Sequence, residues 1–232
     1  MSGTFAGFPA GTVKFLKGLR ADNTKAWFDD HRADYDTYFV GAGRDFAAAL
    51  GPRLQDIAPD LRFAPKINGS LFRINRDVRF SKDKTPYKDH LDLWFWHGER
   101  KGWGAPGFWF RLSPDVTIMG AGMHRFEKEH ATRYRNAVVD DTSGPDLESA
   151  IADVTAAGPY KLGAATRKTV PRGFDKAHPR AGWLLHDGLT VSFEGKPALA
   201  RRDNFLDVCA SHYANMAPLV RWLLTHVSDG TT

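Results

Sequence analysis

The sequence predicts an α+β fold, an antiparallel β-meander sheet packed by N-terminal and C-terminal helices. Three observations carry this. Residues 12–58 place apolar side chains at mostly three- and four-residue steps, the period of one helix face. Residues 91–119 switch to alternation interrupted by turn residues, the period of strands with one buried face. Helical spacing then returns at 126–157 and 199–226. No internal repeat, low-complexity linker or break in composition divides the 232 residues, so a single domain over 1–232 is expected.

In chain order, Thr12 is placed to N-cap a short helix carrying Val13, Leu16 and Leu19, which stops near Ala21-Asp22-Asn23. Asn23 or Thr24 starts a second segment with Trp27 and Phe28. Tyr35, Tyr38, Phe39, Phe46, Leu50, Leu54 and Ile57 continue the apolar face, with a kink expected at Gly41 and Gly43. Pro59 and Pro65 end the helical region. Asn68-Gly69 signals a hairpin with strands at 62–67 and 70–76. In the second of these, Phe72 and Ile74 share one face, and Arg73, Asn75 and Asp77 the other. Residues 80–89 read as a loop.

Leu91, Leu93 and Phe95 then alternate with His90, Asp92, Trp94 and Trp96. Beyond a glycine-rich turn from Gly98 to Gly107, Phe108, Phe110 and Leu112 alternate with Trp109, Arg111 and Ser113. Ser113-Pro114-Asp115 suits a tight turn into Val116–Met119, and Gly120-Ala121-Gly122 closes the meander. One face of the sheet is therefore apolar and the other carries Arg, Trp and His. Helices follow near 126–139 and from Ser143-Gly144-Pro145 to about Ala157. A strand is expected at Leu189–Phe193, then a last helix over 199–226 that Pro218 kinks or divides.

The composition, 42% hydrophobic and 25% charged, is ordinary for a globular chain. The lone Cys209 excludes an intramolecular disulfide and leaves no cysteine pair for zinc. It sits mid-helix, where a small buried thiol is the default, and it fits a reducing cytoplasm, the expected location. The first residues lack the basic and apolar regions of a signal peptide. No run reaches the roughly 18 apolar residues that cross a bilayer, so no membrane partner is expected.

Positive charge is concentrated. Between Arg73 and Lys88 lie six basic residues (Arg73, Arg76, Arg79, Lys82, Lys84, Lys88) against two acidic ones (Asp77, Asp83), which supplies most of the chain's formal +5. Guanidinium forks match a carboxylate or phosphate bidentately, so Arg73, Arg76 and Arg79 read as an anion clamp, assisted by the compact charges of Lys82, Lys84 and Lys88. Asp77 and Asp83 are the candidate acid–base or metal-holding carboxylates. Tyr87, beside Pro86, is a candidate hydrogen-bond donor or stacking ring. The competing reading of the same residues is a network of Arg–Asp pairs that pins residues 77–89 to the sheet.

The stretch Arg73-Ile-Asn-Arg76-Asp77-Val-Arg79-Phe80-Ser-Lys82-Asp83-Lys84-Thr-Pro86-Tyr87-Lys88 resembles the signature of a bacterial and fungal family, domain of unknown function 2461. Asn23 to Trp27-Phe28, Gly120-Ala-Gly122-Met, and Val170-Pro-Arg-Gly-Phe174 with His178-Pro179 resemble other parts of it. The resemblance covers nearly the whole chain. It implies one full-length α+β domain and importance for these residues, and it carries no catalytic role.

The expected function is binding, with or without transformation, of a small phosphate- or carboxylate-bearing ligand at residues 73–88. The alternative is a non-catalytic module that binds nucleic acid or protein through the same face, where Trp94, Trp96 and Trp109 lie beside the cations. His90-x-Asp92 has the spacing of two facial-triad ligands, with His124, His178 or His186 as a third. The resemblance implies a small or apolar residue at Asp92, so no metal is expected. No Gly-x-Ser-x-Gly elbow or P-loop occurs, and no cofactor is named by the sequence.

Overall fold

In a computed structural model of the chain, which describes residues 5–99 and 104–228, the first helix α1 runs over Ala10–Ala21. Thr12 does not cap it. Pro9 holds the cap position, and the buried Thr12 hydroxyl donates to the Tyr38 carbonyl at 2.7 Å. The reason lies in the next helical stretch. After α2 (Lys25–Asp30), capped by the Thr24 hydroxyl as expected, and α3 (Arg32–Asp34), residues Tyr35–Gly41 wind as a π-helix before α4 (Ala42–Ile57). A π-turn shifts carbonyls away from their usual donors, and Thr12 supplies one. At the glycines, where the sequence predicts a kink, Gly41 ends this π-turn and α4 follows directly. Gly43 serves instead as a close approach: a Cβ there would press on Leu71, 2.9 Å from its Cδ1.

The hairpin expected at 62–76 does not form. Asn68 takes a positive φ of 61°, and its turn closes locally through the Gly69 N–H to Lys66. Pro65 offers no donor for a ladder. Residues 70–76 pair instead with the chain that follows: Trp94 N–H donates to Ser70 O, Phe72 N–H to Asp92 O, Lys88 N–H to Ile74 O and Arg76 N–H to Pro86 O. Residues 77–85 are thereby the connecting loop. Leu71 faces Leu93 in this ladder, so Phe72 turns to the opposite face rather than sharing one with Ile74.

The strands are β1 (Leu91–Trp96), β2 (Gly107–Leu112), β3 (Thr117–Met123), β4 (Lys161–Leu162) and β5 (Leu189–Gly195). They form an antiparallel five-stranded sheet of order β1-β2-β3-β5-β4, so the fold is α+β. β1 to β3 are the expected meander. Gly120-Ala121-Gly122 does not end it but continues β3. At Gly122 φ is +126°, and a Cβ would collide with the Leu189 carbonyl oxygen. Part of the glycine-rich connection, residues 100–103, lies outside the described residues.

The chain divides into two compact units. The first comprises residues 1–95, 109–119 and 194–211. Its core is a cluster of phenylalanines: Phe46 lies 4.9 Å from Phe8, 4.7 Å from Phe110 and 5.7 Å from Phe205 between ring centroids. Cys209 is buried in this unit, and burial pushes its thiol well up.

The second unit comprises residues 96–108, 120–193 and 212–232. It holds α5 (Lys128–Val139) and α6 (Ser143–Ala156). The buried Tyr134 hydroxyl donates to Trp183 O, and the Trp222 indole N–H to Ser143 O, both at 2.8 Å. The last helix, α7 (Phe205–His226), is unbroken through Pro218. The carbonyl that Pro218 leaves without a donor belongs to Ala214, an exposed residue, so the missing bond is not a buried one. Among the described residues no helix is long and apolar enough to cross a membrane.

Candidate functional site

The ribbon formed by 70–76 and 86–94 is uneven. From Phe72 to Ile74 one side advances two residues, while its partner runs four, from Lys88 to Asp92. The surplus makes a β-bulge, a device that re-aims side chains. Here it carries Lys88, Asp89, His90 and Asp92 in one short stretch.

Asp92 is the centre of this stretch. Its carboxylate accepts from Arg111 Nε at 2.6 Å and Nη2 at 3.0 Å, and lies 3.2 Å from His90 Nε2. His90 Nδ1 lies 3.1 Å from Asp89, whose other oxygen accepts from Arg20 Nε at 2.6 Å. Arg20 Nη1 reaches on to Asp115 at 2.5 Å. A continuous chain of polar contacts thus runs Asp115–Arg20–Asp89–His90–Asp92–Arg111, with ion pairs at its two arginines. Burial works against ionisation of both Asp89 and Asp92, but hydrogen bonds from His90, and from Arg20 and Arg111 respectively, outweigh it and hold both carboxyls below their ordinary value.

Lys88 stands apart from that chain. Its amine is half-buried over the Phe72 ring, 5.3 Å from the centroid, and makes no hydrogen bond or ion pair among the described residues. Burial lowers its pKa. Asp92 pulls it back up, while Arg111 and Arg73 push it further down. Arg73 is exposed and also has no acceptor among the described residues. Arg111 spends two of its nitrogens on Asp92 and keeps Nη1. Lys88 therefore feels two other cations, Arg111 and Arg73, and one half-buried carboxylate, Asp92, whose oxygens are already engaged.

The nine residues singled out by sequence separate into three groups. Arg73 and Lys88 belong to this sheet-face cluster. Arg76, Asp77, Arg79, Lys82, Asp83 and Lys84 belong to the ribbon and its 77–85 loop. There Arg76 Nη1 donates to Asp83 at 2.6 Å and to Thr85 O at 3.1 Å, Arg79 grips Asp77 at 2.7 and 2.9 Å, and Lys84 donates to Val78 O at 2.9 Å. Lys82 is exposed. Hydrogen bonds from the Thr85 hydroxyl and N–H, then Arg76, bring Asp83 down to about 2. Asp77 is held low by Arg79. Both carboxylates face cations of their own loop. Tyr87 is a core residue: its ring stacks on Phe28 at 4.3 Å, and Asn23 holds its backbone.

Sequence reasoning missed Arg111, Arg20, Asp89 and Asp115 as partners. Alternation put Arg111 and Asp92 on one sheet face, which was the available signal; the bulge that gathers the rest has no signature in the sequence. His90 and Asp92 do lie together, yet Asp92 is committed to Arg111. Among the described residues no group of three His, Cys, Asp or Glu side chains could hold a metal ion. Chemically, the cluster can hold an anion against Lys88, Arg73 and Arg111, with an imidazole–carboxylate pair alongside to move a proton.

No curated protein matches the chain. The family model for a conserved hypothetical protein (DUF2461) matches residues 11–222. That span contains the bulge, the basic loop and every residue from Arg20 to Asp115 in the chain of polar contacts, and the protein belongs to this family.

Proposed function

We propose that the protein binds a small phosphate- or carboxylate-bearing ligand on the sheet face of the first unit, through Lys88, Arg73 and Arg111. The observation that carries this reading is Lys88 itself. A half-buried ammonium without an acceptor is costly, and two neighbouring arginines raise the cost. An incoming anion offsets it. His90 and Asp92 supply proton transfer to a bound ligand if a reaction follows. The buried single thiol of Cys209 supports a reducing, cytoplasmic setting.

The test is a thermal-shift series with inorganic phosphate, sugar phosphates and short carboxylates on wild type and Lys88→Met. At one hundred times Kd, binding stabilises by about 2.7 kcal/mol, a rise of roughly 5–10 °C for a chain of this size. Lys88→Met removes a desolvated charge, so it keeps or raises the ligand-free Tm and loses the response. A wild type deaf to every anion, with Lys88→Met melting several degrees lower, overturns the proposal.

A second reading rests on Phe80, whose ring is 96% exposed at the loop tip with the Arg79 guanidinium 5.8 Å from its centroid. An aromatic beside cations is a platform for a nucleic-acid base. Binding of a short single strand that is lost in Phe80→Ala and falls steeply with salt favours this reading.

A further inference from the structure

On the first unit, away from the bulge, α1 and the short 3₁₀ turn Pro197–Arg201 border a groove of about 730 Å³. Its size falls in the range of pockets that bury compact ligands, about 300–1,000 Å³. Four cations line it: Lys14 and Lys17 from α1, Lys196 just before the turn and Arg201 at its end. None of the four has a hydrogen-bonding or ionic side-chain partner among the described residues. The carboxylate in the lining is Asp115, already bound by Arg20 at 2.5 Å. Val13, Pro114 and Pro197 share the lining with the cations.

We infer that this groove docks an acidic peptide segment in which carboxylates flank an apolar residue. Four like charges around one concavity repel each other and raise the local concentration of anions, which is the charge complementarity that an acidic segment meets. The apolar part of the lining offers nothing to a bare phosphate but accepts an aliphatic side chain. The lining contains no Phe, Tyr or Trp on which a base could stack, so a nucleic-acid strand finds charge here without a platform. Lysines supply three of the four cations; they are flexible point charges that suit scattered carboxylates better than one forked anion.

The test is fluorescence anisotropy with the full chain and labelled Glu-Glu-Leu-Glu-Glu, against Gln-Gln-Leu-Gln-Gln and a dT oligomer. Lys14→Glu/Lys17→Glu and Lys196→Glu/Arg201→Glu alter side chains on the groove surface, and unchanged melting temperatures check their folding. Lys82→Glu/Lys84→Glu is a control with the same change in net charge in the basic loop. The expected result is saturable binding of the glutamate peptide, weakened at least tenfold in both groove variants and less than twofold in the control. Carbodiimide cross-linking then joins peptide carboxylates to Lys14, Lys17 or Lys196. Absence of binding, equal weakening in the control, or tighter binding of the dT oligomer at the groove each overturns the inference.

Discussion

Replacing Asp92 by Asn tests whether the bulge is held by its charge. The Asp92 side chain is 17% exposed and Arg111 42%. Removing one partner of a fully buried pair costs about 3–5 kcal/mol, while a hydrogen bond to a charged group contributes roughly 1.5–3 kcal/mol. Water reaches Arg111, and the amide carbonyl introduced by Asp92→Asn can still accept one guanidinium bond. The expected loss is therefore below the buried limit, about 2 kcal/mol, or a fall in Tm of about 4–8 °C. Thermal and urea unfolding followed by tryptophan fluorescence would measure it. The companion is a double-mutant cycle with Arg111→Leu. Asp92→Leu combined with Arg111→Leu should be more stable than Asp92→Leu alone, because the single change strands the Arg111 guanidinium and the double change does not. A loss under about 0.5 kcal/mol with zero coupling would refute the reasoning, since it would mean that the pair is solvated and holds nothing in place.

Two further outcomes follow from the geometry. Gly122→Ala should cost at least about 3 kcal/mol or prevent folding, because strain at φ +126° adds to a collision with the β5 backbone. Gly98→Ala, at φ +84° with nothing within 4 Å of the added Cβ, should cost only about 1 kcal/mol; equal losses in chemical denaturation would contradict the collision argument. Asp83 should titrate near 2 rather than the ordinary 3.8 when its carboxyl is followed by NMR. A depressed carboxyl stabilises the folded loop above the unfolded value and loses that contribution as pH falls from 3.8 through about 2. Thr85→Ala, which removes the first cause, should raise the value more than Arg76→Ala; a wild-type midpoint near 3.8 would rule out the loop network.

The sequence made the helices and β1 to β3 legible because their periodicity is long and their partners are local. Leu91, Leu93 and Phe95 could only face a core, and Asn23-Thr24 had to open the second helical segment. What escaped depended on competition between distant pieces of chain. Asn68-Gly69 is a sound turn signal and does turn, yet residues 70–76 found a better hydrogen-bonding partner in 86–94. The basic run showed where charge is concentrated but not how it is partitioned. Arg76 and Arg79 have aspartates seven and two residues away in the same loop, and local pairing satisfies them first. Arg73 and Lys88 also have aspartates close in sequence (Asp77, Asp89 and Asp92), but Arg79, Arg20 and Arg111 hold those carboxylates, and the unequal ribbon leaves Lys88 near Arg111 and Arg73.

Asn23 uses its side chain as though it were a strand: Oδ1 accepts from the Tyr87 N–H at 3.0 Å and Nδ2 donates to the Tyr87 carbonyl at 3.1 Å. That double grip has a consequence for chemical ageing. Deamidation at Asn23 would replace the donor with a carboxylate oxygen facing a carbonyl, one residue before Lys88. The reaction needs the Thr24 nitrogen to reach the Asn23 side-chain carbon. In the folded chain that carbon is held at both ends, and Thr24 is fixed as the cap of α2. Folding shields this site and unfolding exposes it, so the fraction of molecules deamidated at Asn23 reports how much time the population has spent unfolded.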